Sequence, residues 1–174
     1  MKKFNNYLIV SLGLIALLVL VLFSSRPDLG RRKRHTVSSE SVAALDFTLP
    51  DLDGNIVSLK DFENEVILLV FWVAGCDICK EEVPVLEEVY AKYNGKGVEV
   101  LAVNIGESAT LVRKFKEQRG IRYRILLDSQ GKVRRLYQVI GVPTEVIIDR
   151  QGKVRYYDFG LPYNWEEILD KLLK

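Results

Sequence analysis

Cys76 and Cys79 are the only two cysteines in a chain of 174 residues, and they stand three positions apart in FWVAGCDICKEEVP, between an apolar run and an acidic one. At that spacing on one helical turn, two sulfurs lie on the same side, within the Cα separation of about 4.4 to 6.8 Å that a disulfide tolerates. The pair can therefore open and close without moving the backbone. The residues before it predict a buried strand and those after it a helix, which puts Cys76 at or just before the first helical turn. Unpaired N–H groups and the positive end of the helix dipole face it there, and both favour the thiolate, the attacking species. Cys76 would attack a partner's disulfide, and Cys79, more buried against the helix, would resolve the mixed intermediate. The blander use of two cysteines is an inert buried pair. A structural zinc site needs four ligands, and the single histidine, His35, lies in a polar tail, so no metal is expected.

The elements that must hold this pair are legible on both sides. Val66 to Val73 is a continuous apolar run rich in β-branched and aromatic residues, the pattern of a strand buried on both faces. Val83, Leu86, Tyr90 and Tyr93 recur with helical spacing until Gly95 and Gly97. Val98 to Ile105 reads as a second buried strand and Ala109 to Gln118 as a second helix closed by Gly120. Strand, helix, strand, helix implies parallel pairing. Upstream, DFTLPDLDGNIVSL turns about Asp53-Gly54-Asn55 and predicts a hairpin. Downstream, DSQGKV at Asp128 and DRQGKV at Asp149 are near-copies, which local turn chemistry explains without a repeat. Glu145 to Ile148 and Val154 to Phe159 form a strand pair, and Trp165 to Leu173 a closing amphipathic helix.

Ahead of this α/β region the chain changes character. Residues 1–6 form a short flank. Tyr7 to Phe23 carries no charge and, at about 17 residues, is just long enough to cross a hydrocarbon core; no good cleavage site follows, so an uncleaved transmembrane anchor is expected. Residues 24–44, with the run RRKRH, read as a basic flexible linker, and the folded domain as 45–174. The formal charge is only +2 (25 basic against 23 acidic residues), which gives no reason to expect a nucleic-acid partner. Arg26, Arg31, Arg32, Lys33 and Arg34 outnumber Lys2 and Lys3, and that bias alone would keep the domain in the cytoplasm.

FWVAGCDICKEEVP, together with GVPT at Gly141 to Thr144, resembles the thioredoxin superfamily and, more narrowly, its membrane-anchored TlpA/ResA-like branch. The similarity spans about Ala44 to Lys174. It implies a thioredoxin fold, a central mixed β-sheet flanked by helices, here with an N-terminal β-hairpin extension and one transmembrane helix. It also implies a thiol–disulfide oxidoreductase whose Cys76–Cys79 disulfide serves in place of any cofactor. The resemblance makes the Val142-Pro143 bond cis and sets it facing the sulfurs. Val142, Pro143, Thr144 and Trp72 become the substrate-binding surface, and Glu82 the functional glutamate, its partly desolvated carboxylate suited to proton transfer. It places the domain outside the bacterial cytoplasmic membrane, with a membrane-borne thiol reductant as electron donor. The expected substrate is a disulfide-containing protein such as apocytochrome c. A general extracytoplasmic exchange protein and an anchored binding module without turnover are the other readings.

Several positions depart from the family pattern. Gly75 replaces the usual tryptophan and leaves the site more open. Val70 stands where cytoplasmic thioredoxins carry a buried acid, so Glu82 is expected to be the one nearby carboxylate of that kind. Asp77 reads as a helix-start acid whose charge opposes a thiolate on Cys76, which makes the dithiol easier to oxidise and points to a reductant. A peroxiredoxin would need a threonine where Val73 stands, and a copper-delivery protein of the Sco type a histidine late in the domain, where this chain has none.

Overall fold

VILLVFW, with no polar side chain before its tryptophan, forms β3 (Val66–Trp72), every residue of which is buried. The computed structural model describes residues 42–174, and in it this strand is the middle of a five-stranded sheet. The other strands are β4 (Val98–Ile105), β5 (Arg124–Asp128), β6 (Thr144–Ile148) and β7 (Val154–Asp158), in the order β5-β4-β3-β6-β7. β4 pairs parallel with β3 and β5 as the strand–helix alternation predicts, while β6 runs antiparallel to β3 and to β7. Because side chains alternate across a sheet, β3 feeds two cores. Leu68, Val70 and Trp72 meet α1 (Asp77–Tyr93), α2 (Ala109–Arg119) and α4 (Trp165–Leu172) on one face. Ile67, Leu69 and Phe71 meet the leading hairpin and the segment around Tyr137 on the other.

The hairpin is β1 (Thr48–Pro50) with β2 (Ile56–Ser58), antiparallel and separate from the main sheet. Its turn is held by Asp51, whose carboxylate accepts the N–H groups of Asp53 and Asn55. Residues ahead of the expected domain start already contact the domain, since Ala44 donates to Gly152 and Val42 accepts from Val154. Among the described residues no helix is long and apolar enough to cross a membrane; the expected anchor, Tyr7 to Phe23, and the linker up to Ser41 lie outside them.

The two DxQGKV turns work through their aspartates. Asp149 accepts from the N–H groups of Gln151 and Lys153 and pairs with Arg155 at 2.5 Å. Asp128, also buried, accepts from the N–H groups of Lys132 and Arg134 at 2.8 Å each. There the turn continues into a five-residue helix, α3 (Lys132–Leu136), too short for apolar periodicity to announce. Gly131, at its N-cap in the left-handed region, offers no side chain, so Asp128 caps the helix from outside. Arg134 then donates to the Val139 carbonyl at 3.2 Å and fixes the approach to Gly141-Val142.

Losing two hydrogen bonds to a buried carboxylate costs about 3 kcal/mol. Asp128→Ala is therefore expected to lower urea-unfolding stability by about that amount. A loss well below about 1 kcal/mol would show that water replaces the carboxylate.

Candidate active site

β3 ends inside the molecule, and the chain must turn sharply to start α1. Glu107, in the loop after β4, reaches across and accepts both the Ala74 backbone N–H and the Asn104 amide at 2.7 Å. Cys76 is the N-cap of α1, with extended backbone, and its Sγ accepts the Cys79 N–H at 3.1 Å. A sulfur thus occupies the position usually taken by a serine or aspartate oxygen, where an unpaired helix N–H stabilises negative charge. Cys76 and Cys79 are joined in a disulfide with Cα atoms 5.2 Å apart. Their exposure is unequal: Cys76 is half-buried, whereas Cys79 is 4% exposed against the α1 core.

The opposing wall is the loop before β6. The Val142-Pro143 bond is cis, and the Val142 carbonyl lies 3.8 Å from Cys76 Sγ. A Cβ on Gly141 would come within 2.8 Å of the Phe159 ring, so only glycine allows the ring to lie there. Gly75, by contrast, is exposed with nothing within 4 Å of an added Cβ, and the site is open on that side as expected. Ile78 (61%) and Ile140 (84%), neighbours in sequence of the sulfurs and of the facing loop, present large apolar side chains to solvent.

The structure brings together Cys76, Cys79 and Val142, with Pro143 buried just behind. The other expected contact residues lie elsewhere. Thr144 is buried, its hydroxyl donating to the Gly141 carbonyl at 2.7 Å, so it closes the loop. Trp72 is buried with its ring 5.0 Å from that of Phe115. Asp77 forms an ion pair with Lys80 at 2.6 Å, and this cation holds its carboxyl below the usual range. The lysine thus offsets much of the charge expected to act on Cys76.

Glu82 turns away from solvent toward the loop after β7, where its Oε1 accepts the Leu161 N–H at 3.2 Å. It is not the one nearby carboxylate of its kind. Glu145, fully buried at 0%, pairs across the sheet with Val70, the very position where an acid is missing. Burial, and then the adjoining Glu82 carboxyl, push the Glu145 acid well above the ordinary carboxylate range. Its signal was present in the sequence: an acid sharing a strand face with Ile147 in a segment otherwise apolar. Glu107 had none, because an acid beside a helix-start serine reads as surface.

Residues 41–157 match the AhpC/TSA family. The thiol-disulfide oxidoreductase ResA of Geobacillus kaustophilus (strain HTA426) is 34% identical over 137 residues, covering 79% of this chain and 78% of that protein. Among solved structures, a candidate thiol:disulfide interchange protein DsbE from Chlorobium tepidum aligns with a TM-score of 0.68 at 34% identity, over 76% of this chain and 94% of that one. The thioredoxin domain of a thiol-disulfide oxidoreductase from Bacteroides vulgatus gives 0.69 at 26% identity, over 76% and 96%. Similarity that runs through the sheet, the sulfur-bearing helix start and the facing proline loop leaves one assignment: the chain belongs to the AhpC/TSA family and has the thioredoxin fold.

Proposed function

We propose that this thiol–disulfide oxidoreductase is a membrane-anchored reductant of disulfides in exported proteins. The oxidised Cys-x-x-Cys of apocytochrome c awaiting haem is the substrate this reading favours. Tyr7 to Phe23 is the anchor, the catalytic domain lies outside the bacterial cytoplasmic membrane, and a membrane-borne thiol reductant restores the dithiol. The basic run Arg31 to Arg34 works against that orientation. In its favour, a tethered reductant is of most use where disulfides form.

The observation that carries the reading is the unequal placement of the two sulfurs. Cys76 Sγ is reachable and sits on a helix N–H, while Cys79 is enclosed one turn on. In the dithiol form, the Cys76 thiolate attacks one substrate sulfur, the substrate S–S bond breaks, and its other sulfur leaves as a thiolate that takes a proton. The Val142 carbonyl borders the place where a visiting peptide meets Cys76, and an extended peptide can pair its backbone there. Cys79, once deprotonated, attacks Cys76 Sγ, closes the intramolecular disulfide and releases the second substrate sulfur. Two electrons and two protons pass from the dithiol to the substrate.

Cys79→Ser is expected to accumulate a mixed disulfide through Cys76, and mass spectrometry of the trapped protein identifies the substrate. Recovery of many unrelated exported proteins would instead mark a general exchange protein. Cys76→Ser should reduce insulin-disulfide turnover to background; turnover absent from the unsubstituted chain as well would mark a binding module. Protease added to intact spheroplasts should digest the domain, and protection would place it inside. Glu107→Ala, which strips the Ala74 N–H of its acceptor and leaves the buried Asn104 amide unpaired, is expected to cost about 2 kcal/mol in urea unfolding. It should slow insulin reduction as well, because the turn that carries Cys76 loses its anchor.

A further inference from the structure

Two carboxyl groups meet beneath the redox pair with no cation between them. Glu145 comes from β6, on the sheet face shared with Val70 and Ile147, and Glu82, on α1, adjoins its carboxyl. Glu145 Oε1, Glu145 Oε2 and Glu82 Oε2 are all buried and have no hydrogen-bond partner. Among the described residues no ion pair reaches either acid. As two carboxylates the groups could only accept, leaving three orphaned oxygens and two like charges in the interior. One proton relieves both problems, because a protonated carboxyl that donates to its neighbour pairs two of the three oxygens and halves the charge.

We propose that Glu145 carries this proton and donates it in a hydrogen bond to Glu82, so that the two acids act as one proton-exchanging unit for Cys79. The assignment to Glu145 follows from burial: Glu145 is fully enclosed, whereas Glu82 is half-buried and already holds the Leu161 N–H. Glu145 is a positioning residue behind Glu82. Glu82 lies one helical turn beyond Cys79, where side chains three apart are neighbours. When the Cys79 thiol gives up its proton to attack Cys76 Sγ, Glu82 receives that proton and returns it to solvent or to the departing substrate sulfur. The proton on Glu145 stays in place.

The groups facing the pair fit this arrangement. From β7, the Tyr156 hydroxyl donates to the Gly160 carbonyl at 2.8 Å, and Asp158 adds a further negative charge that favours the protonated form of Glu145. The backbone N–H of Gly160 acts weakly the other way. Burial is the main influence on Tyr123 and Tyr156, whose phenols are held above their usual range with Glu82 contributing to both.

The inference rests on the oxidoreductase reading, and its test includes readouts that need no turnover. Infrared difference spectra of the full chain at pH 7, wild type against each variant, should show a protonated carboxylic-acid C=O stretch that vanishes in Glu145→Gln and survives in Glu82→Gln. No such band, or one that vanishes only with Glu82→Gln, overturns the proposal. Because the folded protein keeps a proton on an acid whose ordinary value is 4.5, wild type binds more protons folded than unfolded above that pH. It must therefore lose stability relative to Glu145→Gln as pH rises from about 4.5. A melting-temperature gap that does not widen with pH is the contrary result. In single-turnover oxidation of the dithiol by a model disulfide, Glu145→Leu should be about tenfold slower, the scale of one hydrogen bond to a charged group. Glu145→Gln, whose amide still donates, should recover most of that rate. Equal rates in all variants would sink the proton-exchange role while leaving the oxidoreductase intact.

Discussion

The hydrogen bond from the Cys79 N–H to Cys76 Sγ, 3.1 Å long, is the contact around which this molecule is arranged. A sulfur that is to carry negative charge needs a donor that costs no reorganisation, and the first turn of a helix supplies one by construction. For that donor to point at a reachable sulfur, the helix must start at the rim of the sheet rather than over its middle. β3 meets that condition by ending at Trp72, after which Val73 to Gly75 cross the rim, held by Glu107 at the Ala74 N–H. The opposite wall obeys the same logic. The chain from α3 reaches the rim through Arg134 and Val139, and glycine at 141 lets the Phe159 ring close over it.

One sheet face has to serve two purposes where α1 crosses β6. Deeper in, it is an ordinary apolar core of Val83, Leu86, Ile147 and Leu169. Near the sulfurs, the same strand row carries Glu145, and the same helix row carries Glu82. An apolar pair of similar volume would make a more stable contact, since burying acids away from any cation opposes folding. The structure keeps this unfavourable pairing within one helical turn of the redox cysteines, where exchangeable protons have a chemical use.

What the sequence discloses follows from which forces leave a local trace. β3, β4, α1 and α2 could be read nearly residue for residue, because strands buried on both faces and amphipathic helices impose patterns on neighbouring positions. The Cys76–Cys79 site was legible because its two residues are close in the chain. The roles of Thr144 and Trp72 were not: whether a side chain at the end of a strand faces solvent or core depends on what packs over it, and here Phe115 and the Gly141 carbonyl take those places. Glu107 acts across 33 residues to Ala74, a separation that leaves no periodicity, and Glu145 stood out as an acid in an apolar strand while its pairing across the sheet with Val70 did not. The lysine that pairs with Asp77 was visible at i+3, but its orientation was not.

That last pair changes where the electrostatic control of the dithiol resides. Asp77 is almost fully exposed and faced by a cation, so its field at Cys76 is screened by both solvent and Lys80. Glu145 is enclosed, Glu82 is half-buried, and among the described residues neither is paired with a cation, so their influence on the neighbouring Cys79 is screened less. A buried negative charge opposes a thiolate on Cys79. Destabilising the thiolate destabilises the reduced form relative to the disulfide, which drives a dithiol toward giving its electrons away. For a reductant of the kind proposed, that bias is therefore better located in the enclosed Glu145 and the half-buried Glu82 than in an exposed aspartate.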